Sequence, residues 1–216
     1  MTNNPLAFAR ANVNNRLLME GHEEAIVPLP GTRAQIPPAT AYRSTWVVSS
    51  LNSLRYHGLF ERYLGELREH RDEILSCVAG TWLPVARSHY RACDALGLSD
   101  AQIMEIVRGP GAQVRRAWYA RLIAAAEQAN ENPWAMLAQL ERNWRRGVTG
   151  SAVAVFRLGP KEARVEYVAC ELFRFPYYCE ATRVVLLSLV ERFGAGSVRT
   201  LRQRATDEAH YQLHWV

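Results

Sequence analysis

His89 and Cys93 stand four residues apart in VARSHYRACDAL, a run with helical patterning, so their side chains share one helix face. That spacing suits two ligands to one metal ion, or a thiol beside a base. Nothing in the sequence nominates a third ligand, and Asp94, adjacent to Cys93, points away from the pair. His210 and His214 share a strand face in EAHYQLHWV. Four residues of strand span roughly 13 Å, too far to chelate one ion, and both are expected to face solvent. Cys77, Cys93, Cys170 and Cys179 sit in apolar or amphipathic stretches and are expected to be reduced, buried apolar side chains. There is no G-x-S-x-G elbow and no G-x-G-x-x-G after a strand. Gly109-Pro110-Gly111 is no phosphate cradle, because Pro110 has no N–H to offer. The chain reads as non-catalytic, with no metal site.

Two residue classes remain. The net charge is +5 and Lys161 is the only lysine, so the positive charge is almost all arginine, the side chain of phosphate and carboxylate recognition. Arg115, Arg116, Arg121, Arg142, Arg145 and Arg146 lie on neighbouring helical segments, but no helix-turn-helix or ribonucleoprotein motif accompanies them, and no specific nucleic acid is expected. Aromatics are the second class, with six tryptophans and nine tyrosines. Phe60, Tyr63, Trp118 and Tyr119 are candidates to line an apolar pocket, with Arg174 and Arg183 fixing the polar end of a ligand.

The elements that must position these residues follow from periodicity. Residues 1–20 hold a short helical stretch, and 21–41, with four prolines, read as a loop or extended arm. STWVVSSL at 44–51 is β-prone, either an edge strand or the point where the arm joins the core. Helices are predicted from Gly58 to Gly147, punctuated by Pro84, Gly97, the cap Ser99, the Gly109–Gly111 break and Asn132-Pro133. Two β-rich runs, 151–158 and 162–170, then meet at Gly159-Pro160. A helix over 177–193 is apolar nearly all round and must be covered on both sides. Two further strands close the chain, the last alternating Ala209, Tyr211, Leu213 and Trp215 on one face. The fold class is therefore α+β: a helical N-terminal half on a small antiparallel sheet, with a β-β-α-β-β unit at the C-terminus. The domain reading is an arm over 1–43 and one domain over 44–216, helical over 58–147 and mixed over 148–216.

Gly58-Leu59-Phe60, Trp82-Leu83-Pro84 and Tyr211-x-Leu213-x-Trp215 carry a resemblance to an uncharacterised paralogous family expanded in myxobacteria. The C-terminal plan also resembles the ligand-binding fold of haem-nitric-oxide-binding domains, 4-vinyl-reductase-type domains and vesicle-tethering subunits. That likeness implies helices packed on an antiparallel sheet over a buried apolar cavity. In its haem branch it implies an axial histidine, for which His89 is the candidate cofactor-binding residue. It also implies a tyrosine-x-serine-x-arginine motif, whereas this chain has Tyr42-Arg43-Ser44. Some vinyl-reductase-type relatives place zinc cysteines near the turn that Cys170 and Cys179 flank, but no cysteine follows in the last strand. Neither haem nor zinc is therefore expected.

The resulting expectation is a cytoplasmic, dimeric, regulatory module of bacterial signalling. It binds a small apolar or amphipathic molecule between the 177–193 helix and segments 59–67 and 114–123. An adaptor that binds a protein partner without a ligand is the alternative reading, followed by an enzyme of unknown chemistry or a haem-based sensor. No run approaches the ~18 apolar residues of a membrane span.

Overall fold

The computed structural model describes residues 23–76, 83–109, 132–201 and 207–216. In chain order these residues form β1 (Glu24–Val27), β2 (Ala41–Tyr42), α1 (Ser44–Tyr56), α2 (Phe60–Glu66), α3 (Arg71–Leu75), α4 (Leu83–Ala95) and α5 (Asp100–Arg108). They continue with α6 (Pro133–Ala138), α7 (Leu140–Gly147), β3 (Val148–Thr149), β4 (Ala152–Gly159), β5 (Glu162–Val168), α8 (Pro176–Val190), β6 (Gly196–Leu201) and β7 (Ala209–Trp215). The fold is α+β, and its main sheet is antiparallel with strand order β1-β4-β5-β7-β6.

Alternation decides which face the sheet buries. Register places Val155 beside Val165 and Val165 beside Tyr211 in one row, and Leu213 beside Ala163 and Val198 in the next. All six are buried, and Trp215 joins them. Helix α8 covers this face over β6 and β7, while α7 covers β4. The far side of α8 packs against α5 and α4, which is how a helix apolar nearly all round is satisfied. The predicted caps hold: the Ser99 hydroxyl accepts from Gln102 N–H at the start of α5, and Gly97 takes φ +62 after α4.

Several expectations need correction. STWVVSSL is the first two turns of α1, not a strand. Its Val47, Leu51 and Leu54 fall at helical spacing and are buried, so packing overrides the β-branched local preference. The single helix expected after Asn132 breaks at Gln139 into α6 and α7. The sheet has a fifth strand, since the arm contributes β1 along β4. His210 is not at the solvent face but buried. The stretches 1–20 and 114–123, with Cys77 and Trp82, lie outside the described residues.

The burial of His210 comes from the arm, which straps across the outer sheet face. Leu29 and Ile36 pack on Ala152, Val168 and Ala169 there. Arg33 bonds Glu208 at 2.9 Å and also Glu166, whose other oxygen accepts from Arg164 at 2.8 Å. His210 pairs with Glu166 across β5 and β7 and approaches Glu208 to 3.3 Å. Backbone bonds fix the crossing: Ala39 N–H donates to Ala169 O and Ser151 N–H to Pro37 O.

Gly150 makes the crossing possible. Its φ is +75, and a Cβ there would lie 2.2 Å from Pro38 O. Gly150→Ala is expected to cost about 1–3 kcal/mol from left-handed strain and displacement of the strap. Gly65→Ala, where a Cβ meets nothing within 4 Å, should be neutral or slightly stabilising. Urea titration of both variants checks this; a Gly150 variant as stable as the parent contradicts the strap geometry.

Candidate ligand-binding site

Helix α1 buries three serines, Ser49, Ser50 and Ser53, toward the interior. Small side chains allow close approach, and serine keeps a hydroxyl that needs a partner. Ser53 finds one by donating to its own helix at Ser49 O, 3.1 Å away. Ser50 Oγ and Tyr177 OH lie 3.3 Å apart, linking α1 to the start of α8. Ser49 Oγ is buried without a hydrogen-bond partner. Leaving a buried hydroxyl unpaired costs about 1–3 kcal/mol, so the position calls for something to fill it.

Helix α4 supplies the second group of buried polar side chains. His89 is fully buried, with Nδ1 2.8 Å from Tyr63 OH and Nε2 3.6 Å from Cys93 Sγ. The expected sharing of a helix face by His89 and Cys93 is present. Tyr90, on the next position, meets Tyr42 hydroxyl to hydroxyl at 2.8 Å, and its ring lies 4.7 Å from that of Tyr178. With Tyr63 of α2 on one side and Tyr177 and Tyr178 of α8 on the other, α4 stands between α2 and α8. Burial pushes the phenols of Tyr42, Tyr63 and Tyr178 well above their ordinary range, so these three hydroxyls stay protonated.

Charges sit at its margin. Asp94 Oδ1 accepts the Tyr177 N–H at 2.7 Å, in the first turn of α8, where a carboxylate suits the helix dipole. Burial raises the Asp94 carboxyl pKa, while the Tyr177 bond pulls it down. Arg183 Nε reaches both oxygens of Glu180, at 3.0 and 2.8 Å, and its Nη1 donates to Val198 O at 3.2 Å. That bonding to Glu180 is the main reason its pKa rises. The guanidinium is thus engaged within α8 and by β6. Arg174 is exposed, 5.8 Å from the Phe175 ring centroid.

Among the pocket residues expected from the sequence, Phe60 and Tyr63 are near neighbours, stacked at 6.3 Å, with Arg55 4.2 Å above Phe60. Trp118 and Tyr119 lie outside the described residues, as do Arg115, Arg116 and Arg121 of the arginine patch. Arg145 of that patch pairs with Glu141. Among the described residues, no group of three or more His, Cys, Asp and Glu is gathered to hold a metal, and no helix is long and apolar enough to cross a membrane. Sequence reasoning missed Ser49, Ser50 and Ser53. The serines at 49, 50 and 53 follow helical spacing, a signal masked by reading 44–51 as β-prone.

The fold has known counterparts. A family model described as "Protein of unknown function (DUF2378)" matches residues 119–216. No curated protein matches the sequence. Among solved structures, the chain is similar to a Cs H-NOX mutant carrying 4-cyano-L-phenylalanine. The TM-score is 0.56 at 12% identity, over 80% of this chain and 95% of that one. It is also similar to a point mutant of the T. tengcongensis H-NOX, with TM-score 0.54 and 12% identity over 79% of this chain and 96% of that one. A third is an oxygen-binding H-NOX domain related to soluble guanylate cyclases, with TM-score 0.52 and 12% identity over 79% and 93%. At this identity the likeness is one of fold.

Proposed function

We propose that this chain is a non-catalytic, small-molecule-binding regulatory module on the H-NOX-type fold, and that it works without haem. The observation that carries the reading is the buried polar cluster joining α1, α2, α4 and the start of α8; on α1 the Ser49 hydroxyl is also buried without a hydrogen-bond partner. A folded chain seldom leaves such a group dry and unpaired, and concave sites with a few convergent polar groups are where ligands bind. In this reading the ligand meets the interior where α4 packs against α1, α2 and α8.

Haem is the group named for other solved structures of similar fold, and the described residues do not fit it. His89, the candidate axial ligand, has Nδ1 on Tyr63 and Nε2 on Cys93, so ligation would break a buried contact. Tyr42 turns its hydroxyl inward to Tyr90 while Arg43 is exposed, so these two do not converge on a propionate. An interaction protein without a ligand is the alternative reading.

Thermal denaturation of the purified chain with a panel of amphipathic small molecules tests the binding reading. A ligand at about 100 times its Kd should stabilise by about 2.7 kcal/mol, because it binds the folded state alone. A broad panel that moves the melting temperature nowhere sinks the reading.

A further inference from the structure

We infer that residues 28–36 are a pH-sensitive strap, closed over the outer sheet face at neutral pH and lifted when a proton charges His210 beneath it. His210 is buried on that face, and its Nε2 lies 3.3 Å from Glu208 Oε2 without forming a hydrogen bond to any described residue. The same Oε2 accepts from Arg33 Nη1 of the strap at 2.9 Å, and Arg33 Nη2 bonds Glu166. Imidazole and guanidinium thus converge on one carboxylate oxygen. Of residues 28–36, Arg33 alone is charged, and Leu29 and Ile36 supply the apolar contacts to Ala152, Val168 and Ala169. Backbone bonds from Gln35 N–H to Thr32 O and from Ile36 N–H to Arg33 O stay within the segment. Its ends are fixed to the sheet, by β1 on one side and by the Ala39 N–H on Ala169 O on the other. A stretch with few buried apolar contacts between two anchors opens at low cost.

The sign follows from what closing adds around the ring. The carboxylates facing His210 are Glu208, just before β7, and Glu166, its partner on β5. Both belong to the sheet and remain when the strap lifts. Arg164 of β5 also stays, bonded to Glu166 at 2.8 Å and to Glu23, ahead of β1, at 2.7 Å. Farther along the face Gln212 donates to Glu162, while Arg199 of β6 and His214 are exposed. Closing the strap therefore brings one cation, Arg33, and an apolar cover. Both oppose a positive imidazole, the first by repulsion and the second by loss of water. A proton on His210 thus favours the lifted state, as any ligand favours the conformation that accepts it better. With the ring neutral, Glu208 is left to Arg33 and the strap stays closed.

Backbone hydrogen exchange of the full chain, corrected for the intrinsic pH dependence of exchange, reads the strap directly. It is measured at about pH 8 and about pH 5.5, a span across which histidine titrates and carboxylates stay ionised. Protection of the Gln35 and Ile36 amides in the parent should fall on the order of tenfold at the lower pH, a usual size for coupling between two sites. Amides of α8 should keep their protection, which separates strap opening from acid unfolding. His210→Gln, which cannot take the proton, should hold the strap equally at both pH values. Arg33→Gln removes the cation that opposes the charged ring. Its strap should exchange faster than the parent's at the higher pH and respond less to acid, which keeps the test if His210→Gln does not fold. Equal protection in the parent at both pH values, or more at the lower one, overturns the switch, as does loss of protection in α8 alongside the strap. A response of parent size in His210→Gln overturns the role of His210, and one in Arg33→Gln overturns the opposition of the two cations.

Discussion

Replacing Trp215 with alanine is expected to cost the folded state about 3–5 kcal/mol, the range for emptying a large aromatic from a core. Trp215 is the last inward residue of β7, buried although it lies one residue from the C-terminus. Its ring centroid sits 5.0 Å from that of Trp134 in α6, and Arg157 of β4 caps Trp134 from 4.2 Å. The indole thus ties the end of the sheet to the helical half. Truncation opens a large cavity and uncovers Trp134. His214→Ala, on the exposed face one residue away, should stay within about 0.5 kcal/mol of the parent. Denaturant titrations of the two variants read the contrast directly. If Trp215→Ala melts with the parent, this face of β7 does not carry the core.

The second large effect is at His89, and it separates a structural histidine from a ligating one. His89→Ala removes the partner of the Tyr63 hydroxyl and the contact to Cys93 in a fully buried position. An orphaned phenol costs about 1–3 kcal/mol and the cavity adds to it, so a loss of about 2–4 kcal/mol is expected. Hemin added to the parent and to the variant, at a temperature where both are folded, should give the same absorption spectrum. A Soret band that forms with the parent and is lost in His89→Ala would make the ring an axial ligand and this fold a haem site.

How much of this was readable depends on how local each signal is. The alternation of Ala209, Tyr211, Leu213 and Trp215 is a two-residue period and needs no tertiary knowledge, so the buried face of β7 was legible. The same holds for the all-round apolar character of α8 and for the Ser99 and Gly97 stops. The fate of His210 was not, because alternation correctly puts it on the outer face while a strap from residues 29–39 covers that face from far away in sequence. Helix α1 was lost to Thr45, Val47 and Val48, whose branched side chains favour strands until packing at Val47, Leu51 and Leu54 decides otherwise. The engagement of Arg183 by Glu180 was within reach, since an acid three residues before a base on a helix is a neighbour. The site itself was not, because its hydroxyls, ring nitrogens and thiol come from α1, α2, α4 and α8 and meet only in the folded chain.

Native mass spectrometry of the full chain, freshly purified from cells supplied with iron and a haem precursor, tests the central claim most directly. It reports bound organic molecules and haem in one spectrum, before dialysis can strip either. The expected spectrum holds a population carrying a small organic adduct that leaves on gentle collisional activation and contains no iron. One haem per chain, retained on activation and lost in His89→Ala, would contradict it.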